Sequence, residues 1–208
     1  MNFRILYLLF SCTIVFLAGC TSDFKQLTRT DSHPCSTGQF KPVFTYAVFN
    51  TKIDVINKHL SGLLVLKTMP DKSIRAVFQS EMGLTYFDFE WAASGSFQVK
   101  HVIPQMDKKV VIEALRKDFE LMLMNTLDTT QAIMYTDGVQ LYIRIPDESD
   151  FIYAITDTAC TSLIKMERAS KRKAKVDMYL YSTEHIPDSV LIEHKQFHFT
   201  ISLSRIHQ

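Results

Sequence analysis

From Val43 to Ile206 the chain is a succession of short segments rich in Val, Ile, Leu, Phe, Tyr and Thr. Turn residues punctuate them, and one amphipathic stretch interrupts them. That pattern restricts the fold to a large antiparallel sheet with very little helix to cover it. The segments Val43–Ile56, Leu60–Thr68, Ser73–Glu81, Leu84–Ala93 and Phe97–Ile103 read as a meander of strands joined by short hairpins. After Pro104, with Asp107 as the expected N-cap, Lys108–Met124 places Val111, Leu115, Phe119, Met122 and Leu123 at helical spacing. Strand-like sequence then resumes and continues to the C-terminus. Asp137-Gly138 reads as a tight type I′ turn and Pro146-Asp147 as the next turn.

Several strands are apolar on both sides. Leu60, Leu64 and Leu66 share one face of their segment and Leu63 and Val65 the other; Phe87, Phe89 and Trp91 oppose Leu84 and Tyr86. A sheet with one wet face alternates more strictly. The expected architecture is an α+β domain: a curled antiparallel half-barrel of about ten to twelve strands with one main helix packed on it. A helix of this length covers about 25 Å by one helix width. Either the sheet curls on itself, or part of its concave side remains an apolar hollow, or both outcomes hold together.

The N-terminus carries a different message. Arg4 precedes an apolar run, Ile5 to Ala18, that is too short to span a bilayer and ends in Leu17-Ala18-Gly19-Cys20. This resembles the signal of bacterial lipoproteins. The resemblance implies removal of residues 1–19, a diacylglycerol thioether on Cys20, and an acyl group such as palmitate on its new amine. Residues 20–39 then read as the lipidated cysteine and a flexible polar tether, with the folded domain spanning 40–208. Cys12 leaves with the signal. Cys35 and Cys160 remain in a compartment where disulfides persist. They either pair, closing a loop of about 125 residues worth roughly 5 kcal/mol in the chain-entropy picture, or stay separate thiols.

Charge excludes one class of partner. With 23 basic and 22 acidic residues, the chain has no electrostatic footprint for nucleic acid. No nucleophile elbow, phosphate loop, dinucleotide fingerprint or zinc-protease motif occurs, so neither a cofactor, a metal nor an enzymatic activity is expected. His194 and His198 flank strand sequence, about 13 Å apart, and read as solvent-facing. Asp88 and Glu90 share a strand face and read as solvated acids without a catalytic partner. Lys171-Arg172-Lys173, with Arg168 and Lys175 nearby, forms a basic turn whose readings are a soluble hairpin tip or a dock for lipid headgroups or an acidic partner.

One aromatic and methionine-rich set stands out: Phe78, Met82, Tyr86, Phe87, Phe89, Trp91, Met122 and Met134. As a group it is the candidate lining of an adaptable apolar cavity; the alternative is an ordinary packed core. The lipobox, the hairpin run and the helix followed by more strands together resemble the LolA/LolB-like superfamily of outer-membrane lipoprotein carriers and receptors. The segments that carry this are Leu60–Val65, Met82–Glu90 and Val190–His194, and the nearest likeness is to uncharacterised lipoproteins from Bacteroidetes. The resemblance implies an unclosed half-barrel enclosing a cavity for acyl chains, on a protein anchored in the outer membrane and facing the periplasm. The expected function is binding of an acyl chain or other hydrophobic ligand, with a link to lipid or lipoprotein trafficking. The competing expectation is a non-catalytic accessory component of an envelope assembly with a solid core and partners unknown.

Overall fold

The computed structural model describes residues 22–31, 35–55, 58–182 and 185–207. Cys20 and the lipobox lie outside the described residues. The described strands are β1 (Thr28–Arg29), β2 (Tyr46–Val55), β3 (Lys58–Thr68), β4 (Ile74–Gln79), β5 (Thr85–Trp91), β6 (Phe97–Val102), β7 (Ile133–Thr136), β8 (Gln140–Asp147), β9 (Asp150–Asp157), β10 (Leu163–Ala169), β11 (Ala174–Tyr181), β12 (Ser189–His194) and β13 (Phe199–Arg205). They form one antiparallel sheet in the order β1-β7-β8-β9-β10-β11-β12-β13-β2-β3-β4-β5-β6. Two meanders, β2–β6 and β7–β13, are therefore fused where β13 pairs β2, with Ile201 opposite Ile53. The sheet stays unclosed, with β1 and β6 as its edges. Helix α1 (Lys109–Leu123) is the connection between the meanders.

Sheet and helix together require strong curvature. Trp91 on β5 and Arg168 on β10 lie seven strands apart in the sheet order, about 34 Å in a flat sheet. Yet both touch α1, through Glu120 and Asp118 respectively, two residues apart on the helix. The sheet wraps around α1, and the interior faces of β2–β6 and β8–β13 share one hydrophobic core with Leu115, Phe119 and Met122. Of the two outcomes open in the sequence, curling leaves the interior filled.

Local differences from the expected elements have simple causes. The helix N-cap is Lys108, with no side-chain cap bond, in place of Asp107. At the β7–β8 hairpin only Gly138 of the expected pair has positive φ (92°), so the turn is not type I′. Instead the Asp137 carboxylate accepts from the N–H groups of Val139 and Gln140. Strand β8 runs through Pro146, and the turn falls at 148–149, where Glu148 has φ 51°. The expected tether also behaves differently. Phe24 stacks on Tyr153 at 4.5 Å, and with Leu27 it covers Tyr153, Ile155 and Ala169 on the outer face. Thr28–Arg29 pairs with β7. Cys35 and Cys160 are bonded, with Cα atoms 5.7 Å apart. This segment supplies outer cover for strands that are apolar on both sides.

Gly62 marks a close approach in β3. A Cβ there would lie 1.9 Å from the Gln79 carbonyl oxygen, beside the bulge between Phe78 and Gln79. Gly62→Ala is expected to cost about 2 kcal/mol or more and lower the thermal midpoint by several degrees in a circular-dichroism melt. Gly95→Ala, where φ is 86° but the space is open, is expected to cost only about 1 kcal/mol. Equal small losses would show that backbone crowding at Gly62 has no energetic weight.

Candidate functional site

The predicted cavity lining divides between core, rim and solvent. Phe78, Phe87, Phe89, Trp91 and Met122 are fully buried. Their rings pack in a continuous chain: Phe87 on Phe89 at 4.5 Å, Phe87 against Phe119 at 5.7 Å and Trp91 against Phe119 at 5.9 Å. The Trp91 indole donates to Glu120 at 3.2 Å. Tyr86 and Met134 pack at the margin of this core. Met82 does not belong to it: in the turn between β4 and β5 it is 97% exposed. Two cavities lie elsewhere. One of about 300 Å³ opens among Gln39, Lys41, Thr161, Leu180 and His185; the other, about 530 Å³, lies among Asn50, Lys52, Ser61, Glu81 and Ser204.

Beneath α1 sits a buried polar group that includes His194, expected to face solvent, and Arg168, expected beside the basic turn. Asp118 is completely buried. Its carboxylate accepts from Arg168 Nη2 at 3.2 Å and meets His194 Nε2 at 2.8 Å. His194 therefore faces inward, stacked on Phe199 at 4.5 Å, while His198 is exposed in the β12–β13 loop. Arg168 likewise leaves the basic turn for the interior. Strand parity and helix spacing carried this information: Arg168 shares a strand face with Met166, His194 shares one with Val190 and Ile192, and Asp118 falls in the Leu115/Met122 stripe. The Arg168 Nη1 atom is buried without a hydrogen-bond partner. The contacts latch α1 to β10 and β12 by charge-assisted bonds inside an apolar interface. Around the helix, Lys117 reaches Glu148 at 2.8 Å. Burial pushes the Glu120 carboxyl above its ordinary value, against the pull of the Arg116 charge and the Trp91 hydrogen bond.

On the outer face the charges are paired across strands. Asp88 takes a two-pronged contact from Arg75 and Glu90 meets Lys100 at 3.1 Å, so the two acids read as solvated are ion-paired. Lys165 bridges Glu167 and Asp177, and Lys195 meets Asp177 at 2.7 Å. Burial raises the Glu167 carboxyl; at Asp177 the same burial is outweighed by hydrogen bonds and charge from Lys195 and Lys165, which hold it low. Among the described residues no group of three or more His, Cys, Asp or Glu is placed to hold a metal ion.

The basic turn at 170–173 joins β10 to β11. Lys175 is paired with Asp150 at 2.7 Å, leaving Lys171, Arg172 and Lys173 at the tip. The N-terminal segment docks there: the Asp23 N–H donates to the Arg172 carbonyl at 2.9 Å, and its carboxylate accepts from the Ala174 N–H at 3.0 Å and lies 3.6 Å from Lys173.

Removing the Asp118 carboxylate would strand a buried guanidinium. Asp118→Ala is expected to cost about 3–5 kcal/mol in urea denaturation. Adding Arg168→Leu is expected to recover part of that, since the orphaned charge goes with it. No loss on Asp118→Ala would mean that the helix seat is purely apolar.

Neither a family model nor a curated protein matches this chain. Among solved structures it is similar to a DUF1329 family protein from Desulfovibrio piger, with a TM-score of 0.42, 7% identity, and 78% of this chain and 83% of that chain covered. A likeness of that degree supports neither the LolA/LolB-like resemblance nor a Bacteroidetes origin, and it carries no functional inference.

Proposed function

We propose that this is a lipid-anchored, non-catalytic protein of the cell envelope that works through its surfaces, with a solid interior. The observation that carries the reading is the filled curl. Phe78, Phe87, Phe89, Trp91 and Met122, the residues best suited to grip a hydrophobic guest, are fully buried against one another and against Phe119. The lipobox at Cys20 supports the anchor and a placement at the outer membrane facing the periplasm, since two or more acyl chains hold a protein firmly without a spanning helix. No described helix is long and apolar enough to cross a membrane. The engagement of Asp88 by Arg75 and of Glu90 by Lys100 supports a non-catalytic role for the acids that share a strand face.

A second reading, carriage of an acyl chain, has one specific observation behind it. The seat of α1 contains a buried Asp–Arg–His group with an unpartnered guanidinium nitrogen, and a polar seat is easier to release than a wholly apolar one of the same size. In this reading the helix is the lid, and a guest enters only when it leaves.

One measurement tests the anchor and two separate the readings. Cys20→Ala is expected to release the protein from membranes, and continued retention would remove the anchor. Native mass spectrometry of the mature protein is expected to show no lipid beyond that attached at Cys20. Displacement of a fluorescent fatty acid is expected to give no saturable binding to the wild type. Binding that appears only in Asp118→Ala would support the lid reading, and saturable binding to the wild type would replace the first reading with carriage.

A further inference from the structure

The N-terminal segment fixes which end of the sheet meets the membrane. A free tether from Cys20 to Phe40 would reach about 70 Å when extended, leaving the domain any orientation. Instead Asp23 is pinned to the turn at 170–173 through Arg172, Lys173 and Ala174. Phe24 is stacked on Tyr153 immediately afterwards. Cys20 is three residues from Asp23 and so lies within about 11 Å of it. A bilayer holding acyl chains on Cys20 is thus brought to the end of the sheet that carries this turn.

That end has the chemistry of a headgroup contact. Lys171 and Arg172 are exposed and have no ion-pair partner among the described residues, whereas neighbouring acids are occupied: Asp150 by Lys175 and Asp177 by Lys195. The β12–β13 loop emerges at the same end, since Val176 at the start of β11 pairs with His194 at the close of β12 and Lys195 bonds Lys175 through the backbone at 2.8 Å. Two strand spacings, about 10 Å, separate this loop from the basic turn. It presents Phe197, 44% exposed. Cations beside an exposed aromatic ring suit the boundary between anionic headgroups and acyl chains.

The geometry points to a membrane-docking surface formed by Lys171, Arg172 and Phe197, which takes anionic phospholipid headgroups beside the anchor. The inference rests on the lipid anchor of the proposed function. Anchor and surface act as two signals, the acyl chains supplying attachment and the basic turn supplying orientation and lipid preference.

The test uses the full mature chain carrying Phe197→Trp, reconstituted into vesicles of brominated phosphatidylcholine alone or with an equal part of phosphatidylglycerol. Trp91, the single natural tryptophan, is fully buried and serves as the unquenched reference. The expected result is quenching of the new indole, about twofold or more stronger in the anionic vesicles, weakened by high salt and abolished by Lys171→Glu with Arg172→Glu. No quenching in vesicle-bound protein would overturn the docking surface and leave the basic turn to an acidic protein partner. Quenching indifferent to both phosphatidylglycerol and charge reversal would overturn headgroup recognition. Vesicle flotation and the mass of the Cys20 peptide read the anchor separately. An unmodified Cys20 and a protein that does not float would overturn the anchor and the surface together.

Discussion

The fold depends on a single crossing. Because β13 pairs β2 in the middle of the sheet, the two meanders end on opposite edges, and the chain must pass from β6 to β7 across the concave space. Helix α1 makes that passage and at the same time supplies Leu115, Phe119 and Met122 as the plug. Curling the sheet, seating the helix and excluding water are therefore one event. Neither meander can bury its inner face without the helix that links it to the other. Phe87 and Trp91 pack on Phe119 from the helix; Met166, Met178 and Ile192 need the curl that the helix holds in place. The interior is non-directional apolar packing, so something else must set the position of the helix along the groove.

Asp118 does this. A purely apolar stripe tolerates rotation or sliding by a turn at modest cost, as cores accept volume-conserving rearrangement. A buried carboxylate does not, because away from Arg168 and His194 it would be charged and unpaired. The latch contributes little net stability relative to an apolar replacement, and its value lies in register. The unpartnered Arg168 Nη1 shows that satisfaction is incomplete even here. The same arrangement makes this part of the interface polar, so that the seat of the helix is not held there by packing alone.

Much of the architecture was legible in periodicity. Apolar spacing from Val111 to Leu123 placed the helix within a residue or two of its observed bounds. The alternation of Phe197, Phe199, Ile201 and Leu203 marked a last strand over 196–206, whereas the strand starts at Phe199 and leaves Phe197 in the loop before it. What escaped was whatever depends on partners distant in sequence. Strand β1 is two residues long and exists only because β7 offers an edge, so no local pattern announces it. The polar composition of residues 20–39 suggested a tether, yet Phe24 stacks on Tyr153 and Asp23 bonds the turn at 170–173, contacts that no local pattern announces. The expected hollow followed from comparing one helix with the width of a flat sheet. Curvature changes that comparison, since wrapping lets the strands cover one another and leaves the helix only the remaining central volume. Within the aromatic set, Met82 shares apolar character with its neighbours but sits on a turn, and hairpin geometry rather than hydropathy decides its exposure.

The docked N-terminal segment has consequences for what the surfaces can meet. Its path runs from Asp23 at the turn between β10 and β11, down the outer face past Tyr153, to Cys35 bonded to Cys160 in the turn between β9 and β10. These two turns lie at opposite ends of the sheet, because β10 runs the full distance between them. The disulfide and the Phe24 contact therefore hold the segment at both ends. With Cys20 in a bilayer, such a strap orients the domain where a free tether would not. The cavity among Gln39, Lys41, Thr161 and His185 lies at the disulfide end, about a strand length or some 20 Å from the basic turn. On the proposed anchor and docking surface, with the Phe197 end at the lipid, this cavity would face away from the membrane, open to a partner arriving from solution. Reduction of the disulfide would free the far end of the strap and leave the Asp23 contacts in place.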